Sequence, residues 1–210
     1  MTLKVKVLFI SLIFFSSLNI QAQWQWTPKD VRIWKKEMNK SFKSKKESPL
    51  KLKDRRKFKK LPFFCIDKNF AIKCLWERNS DSSWFEMLTT TERKPIYRKY
   101  ATLYFMIEGK KFRLTAFQPK KLSKKEGFQD YLFVPFGDNS NGDETYGGGR
   151  FVEIRMNSSD EKFLLLDFNK SYNPYCAYSE RYSCPKIPVE NILDTRINAG
   201  VKYNLNKYHH

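Results

Sequence analysis

Histidine is nearly missing from this chain: the only two, His209 and His210, stand at its extreme C-terminus. Chain ends fray unless something ties them down. A Ser-His-Asp or Cys-His machine therefore has no base to draw on, and a histidine-ligated zinc or iron site has no ligands. The cysteines do not fill that gap. They fall as Cys65-x8-Cys74 and Cys176-x7-Cys184, away from the C-x2-4-C spacing of structural zinc, so no metal is expected. Acid is scarce as well, with 22 Asp and Glu against 40 Lys and Arg and a formal charge of +18. Such an excess invites a nucleic-acid reading. No zinc-finger, RRM or KH pattern accompanies it, so nucleic acid is not expected as a partner. Internal repeats and low-complexity linkers are also missing.

A long apolar run is lacking too. The one candidate, Val7 to Leu18, has 12 residues, short of the roughly 20 that a membrane-spanning helix needs. Lys4 and Lys6 precede it, and Ala22 stands just before Gln23. That is the layout of a secretory leader cleaved after Ala22, although Ile20 departs from the small-residue ideal two positions earlier. No cysteine lies nearby to take a lipid. The expectation is an exported protein, periplasmic or secreted. It has three parts: a signal peptide over 1–22, a basic helical region over 23–60, and a strand-rich domain over 61–210.

What is present begins with charge placement. From Thr27 to Lys60 there are 15 Lys or Arg against Asp30, Glu37, Glu47 and Asp54, a net of +11. Thr27, Pro28 and Asp30 read as a helix start. Val31, Trp34, Met38 and Phe42 recur on one helical face, which is expected to lie across the sheet. A peripheral contact between this basic helix and an anionic envelope surface is the alternative.

From Leu61 the period changes to two. Strands are expected at Phe63-Phe64, at Phe70 to Trp76 and at Trp84 to Thr90. A hairpin follows, Leu103 to Ile107 and Phe112 to Ala116 about Glu108-Gly109-Lys110. Further strands are expected at Tyr131–Phe136, Phe151–Met156 and Phe163–Phe168. Pro188 to Asn198 reads as a C-terminal helix stopped by Gly200. The predicted fold class is mainly β (α+β). It is an antiparallel barrel or sandwich of about eight strands with an N-terminal and a C-terminal helix.

Polar groups concentrate late in the chain. Asp138 to Glu144 resembles a calcium loop, but with Gly142 at its sixth position the first and twelfth ligands become Gly137 and Gly148, which have no side chains to offer. Gly147-Gly148-Gly149 can expose successive N–H groups to an anion, with Arg150 adding a bidentate contact. The same glycines can instead form a bulge or admit a neighbouring chain. Asp167-Phe168-Asn169 and Tyr172-Asn173-Pro174-Tyr175-Cys176 put a carboxylate and amides at the end of an apolar strand, where each needs solvent or a partner. If Cys176 and Cys184 bridge, the closed loop is worth about 2.5 kcal/mol; the alternative is a reactive thiol pair activated by Arg or Lys. Cys65 and Cys74, placed diagonally in the expected hairpin at about 7–8 Å, are too far apart for a relaxed bridge and are read as buried thiols.

The string from Tyr131 through Phe136-Gly137-Asp138, with Thr145-Tyr146-Gly147-Gly148-Gly149-Arg150, Asp167 to Tyr178, Cys184-Pro185 and Glu190-Asn191, resembles a bacterial family catalogued as domain of unknown function 1684. Ser48-Pro49-Leu50 and Leu61 to Phe64 resemble its upstream half. The resemblance implies no activity and no cofactor; it marks the polar C-terminal block as the family's hallmark. Two departures are visible: Ile187 stands where a second proline is expected, and Val201 where glutamate is expected. The family also includes chains without leaders, which weakens a purely disulfide role for Cys176 and Cys184.

Three functional readings follow. The first is a binding module whose pocket for a small polar or anionic ligand is lined by Asp138, Asn141, Thr145, Tyr146, Gly148, Arg150, Asp167, Asn169 and Asn173. The second is a histidine-independent enzyme using Asp167 as general base or acid and Arg150 as electrostatic stabiliser, with Cys176 as an optional nucleophile. The third is a structural, envelope-associated protein whose polar block locks its own loops.

Overall fold

The computed structural model describes residues 26–156 and 162–204; the expected leader and both histidines lie outside the described residues. The centre of the fold is a hairpin, β3 (Ile96–Ile107) with β4 (Lys110–Pro119). Glu108 and Gly109 both have positive φ, 48° and 76°, the left-handed pair that matches strand twist in a two-residue turn. On one side of β3 lie β1 (Ala71–Arg78) and β2 (Trp84–Glu86), end to end. On the other side β4 leads to β5 (Tyr131–Phe136) and β6 (Arg150–Arg155), and β7 (Phe163–Asp167) flanks β1. Every pairing is antiparallel, in the order β6-β5-β4-β3-β1-β7, with β2 also on β3. The end strands β6 and β7 touch without a hydrogen-bonded ladder among the described residues, so the sheet curls into a half-barrel.

Alternation decides which side chains fill it. Cys74, Leu103, Phe105, Leu114, Ala116, Leu132, Val134, Val152 and Leu166 point to the concave side and form one core with Phe168 and Ile197. Strand β5 is buried along its whole length, because Phe133 and Tyr131 pack on the convex side against Met87, Phe117, Phe151 and Cys184. The segment from Tyr172 to Ile187 covers that second side.

Helix α1 (Pro28–Lys43) has Thr27 at its N-cap and Pro28 in its first turn. Its apolar stripe does not lie across the sheet. Phe42 packs edge-on to Tyr178 with ring centroids 4.9 Å apart, in a cluster of Leu50, Phe58, Leu61, Ala177 and Val201 drawn from connecting segments. A short helix, α2 (Leu52–Lys57), follows.

Three expectations are corrected. Phe63-Phe64 does not pair with the next strand; Phe63 makes a single bridge to Val201. Cys65 is consequently exposed, and of that pair Cys74 alone is a buried thiol. The C-terminal helix is also replaced: Val189–Asn191 makes one 3-10 turn, and the chain then runs extended beside the sheet. The cause lies at Pro135 in β5. A residue's N and C=O face the same side of a strand, so proline there has no N–H to offer β4. Strands β4 and β5 pair only at Phe117 and Phe133. The Asn191 side chain fills the break, donating to Thr115 O at 2.9 Å and to Pro135 O at 2.6 Å and accepting from Thr115 N at 2.8 Å.

Candidate functional site

Arg150 opens β6 and is fully buried. Its guanidinium donates to Asp138 Oδ2 at 2.7 Å, to Ile197 O at 2.8 Å and to Ala199 O, with Ser171 and Ser140 at 3.4 Å. Burial lowers its affinity for the proton, and Asp138 works in the opposite direction. Asp138 Oδ1 in turn accepts from Ser140 N and Ile197 N. Asn141 caps the same turn, accepting from Asp138 N and donating to Thr145 Oγ1, each at 2.8 Å. Arg150 is therefore a bolt. It joins the 138–145 turn to the C-terminal segment 197–199, and its Nη donors are taken by the protein itself.

Asp167 and Asn169 form a second closed network. The Asp167 carboxylate accepts from Trp26 Nε1 at 3.0 Å and from the Asn169 side chain at 2.9 Å. Asn169 also makes two hydrogen bonds to the Asp67 backbone. Asn173 donates to Tyr178 OH and Lys202 O, while its Oδ1 is buried without a partner. The three groups of the histidine-independent enzyme share no hydrogen bond: Arg150 is held by Asp138, Asp167 by Trp26 and Asn169, and Cys176 lies elsewhere.

The open space is next to these networks. A cavity of about 350 Å³ is walled by Asn141, Tyr146, the Gly147–Gly149 turn, Pro174, Cys176 and the Pro185–Ile187 stretch, with Thr90, Gly137 and Ile192. Of the expected binding residues, Asn141, Tyr146 and Gly148 reach this wall; Asp138, Thr145, Arg150, Asp167, Asn169 and Asn173 do not. Gly149 N donates to Tyr146 O, closing the turn. Among the described residues no hydrogen bond engages the exposed N–H groups of Gly147 and Gly148. Gly149 must be glycine: φ is +84°, and a Cβ would fall 2.5 Å from Ile187 Cγ1. Lys186 is exposed at the rim and is the one cationic side chain in the wall.

Cys176 and Cys184 are free and adjacent rather than bridged. Cys184 Sγ accepts the Cys176 N–H at 3.2 Å. Cys184 N donates to Thr90 Oγ1 at 3.2 Å. The hydrogen bond from Cys176 lowers the Cys184 thiol against the pull of burial, helped by the Cys176 and Tyr175 N–H groups and by Arg93. That same bond, with burial, raises Cys176. Burial also raises the Tyr146 phenol.

Thr90, Lys186 and Ile187 entered no sequence-based reading of the site. Thr90 and Lys186 have no motif around them. Ile187 carried a signal, standing where the family resemblance calls for proline, and it packs against the glycine turn. The second departure, Val201, is buried in the α1 cluster.

The family model described as "Protein of unknown function (DUF1684)" matches residues 56–202. The solution NMR structure of an uncharacterized protein from gene locus rrnAC0354 of Haloarcula marismortui is similar, with TM-score 0.68 and 31% identity. That likeness covers 85% of this chain and 95% of the other. None of the curated proteins matches.

Proposed function

The chain belongs to the family of unknown function DUF1684, and with that as premise we propose that it is a binding module for a small polar or anionic ligand seated in the cavity at the Gly147–Gly149 turn. The observation that carries this reading is the meeting of three distant stretches about one open space. They are the triple-glycine turn, the Pro174–Cys176 loop and Lys186. Backbone N–H groups free of intramolecular partners and one ammonium form an anion-accepting wall, and the apolar faces of Ile187, Ile192 and Pro185 shield it.

The test is a thermal-shift and NMR titration with inorganic phosphate and small carboxylates. Binding should shift the Gly147 and Gly148 amide resonances and weaken in Lys186→Ala. Saturable binding that leaves those resonances unmoved places the ligand elsewhere and removes this reading.

We further propose that the chain is exported through the Val7–Leu18 leader and that the lysine-rich face of α1 meets an anionic envelope surface. Exposed lysines around a helix whose apolar stripe is already covered support an electrostatic rather than an inserted contact. Binding to vesicles rich in anionic lipid should fall steeply with added salt. Salt-insensitive sedimentation would count against it.

A further inference from the structure

The cavity wall contains a feature that anion binding does not use. Cys176 lines the open space, and Cys184 sits directly behind it, 7% exposed, its sulfur accepting the Cys176 backbone N–H at 3.2 Å. Thr90 and Tyr146 border the same open space. The Cys184 backbone is clamped to the Thr90 segment in both directions, Thr90 N to Cys184 O at 2.9 Å and Cys184 N to Thr90 Oγ1 at 3.2 Å. Arg93 donates to the neighbouring Ser183 O at 2.8 Å and sets positive charge beside the pair. A structural buried cysteine needs none of this; Cys74, packed among aliphatic side chains with its thiol pushed up to about 12 by burial, is the contrast within the same chain.

We propose that Cys176 and Cys184 are a redox-active dithiol site, oxidised through the cavity by a small hydroperoxide. The Cys184 thiolate attacks one peroxide oxygen. An S–O bond forms, the O–O bond breaks, and the departing oxygen takes a proton to leave as water (or as alcohol from an organic peroxide). Cys176 then attacks the Cys184 sulfenic acid; the S–S bond forms, the S–O bond breaks, and the hydroxyl leaves with the second proton as water. Two thiols are oxidised and one peroxide is reduced. Cys184 Sγ accepts the Cys176 N–H and lies near the Arg93 guanidinium, which favours a thiolate there for the first role, and the cavity-lining Cys176 is placed to take the second. This assignment does not depend on an anion occupying the cavity.

The experiment treats the reduced full chain, in a Cys65→Ser background that silences the exposed thiol, with hydrogen peroxide and maps the products by mass spectrometry. The expected product is an intramolecular Cys176–Cys184 bond that dithiothreitol reverses with the fold intact. In Cys176→Ser a dimedone adduct should appear on Cys184. In Cys184→Ser oxidation should slow by about tenfold, because the backbone N–H that favours a thiolate points at position 184 and not at Cys176. A bond that yields only when the chain unfolds marks a structural staple and overturns the proposal. So does peroxide oxidation that proceeds equally fast without Cys184. The wild-type mapping alone decides the matter if either variant fails to fold.

Discussion

At the scale of single residues, the arginine beside the glycine turn carried the most misleading signal. An arginine after three glycines has the makings of an anion clamp, and Gly147 and Gly148 do border an open cavity. Arg150 itself is turned inward and bonded to Asp138, Ile197 O and Ala199 O. Nothing local to the sequence separates an arginine aimed at a ligand from one aimed at its own C-terminal segment. Removing one member of a buried pair strands the other charge, so Arg150→Ala should cost about 3–5 kcal/mol in urea unfolding. If the residue instead served a ligand at the surface, stability would barely move and affinity alone would fall.

Elements were more legible than side-chain roles. The β3–β4 hairpin lies where alternation and the Glu108-Gly109 turn put it, and β5, β6 and β7 lie at the short apolar runs expected to be strands, since both signals are local. The segment after Pro188 was not legible. Its helical spacing of Ile192, Leu193 and Ile197 is real, but Asn191 is needed at the gap that Pro135 opens between β4 and β5. Asn191→Ala strips partners from Thr115 N, Thr115 O and Pro135 O together. The expected loss is about 2–4 kcal/mol, read by thermal or urea unfolding. Hydrogen exchange should quicken at Thr115, whose N–H faces Asn191, and at Leu193, while the amides bonded between β3 and β4 stay protected. Uniform exchange across the sheet would instead mean that the segment does not pin that edge.

For the whole molecule, buried and half-buried acid groups that must stay protonated predict fragility in alkali. Burial raises the Cys74 thiol to about 12 from an ordinary 9.0, and it raises the Tyr97, Tyr131, Tyr172 and Tyr175 phenols above 10.0. Each has a folded value above its unfolded one. The unfolded chain therefore releases these protons first, and stability falls as pH climbs from about 9 towards 12. The unfolding midpoint should drop across that window, with a shallower decline at its lower end in Cys74→Val; a flat profile up to pH 12 would refute the burial of these groups. What the sequence by itself determined is the local inventory: strand periodicity, the hairpin turn and the start of α1. Only the tertiary structure decided which polar groups face open space. Asn141, Tyr146 and Gly148 reach the cavity while Arg150, Asp167 and Asn173 are sealed. Thr90, Lys186 and Cys176 join them across long stretches of chain. The reason is physical: a buried polar group is satisfied by whichever partner the folded chain brings near, and that partner's identity depends on distant contacts.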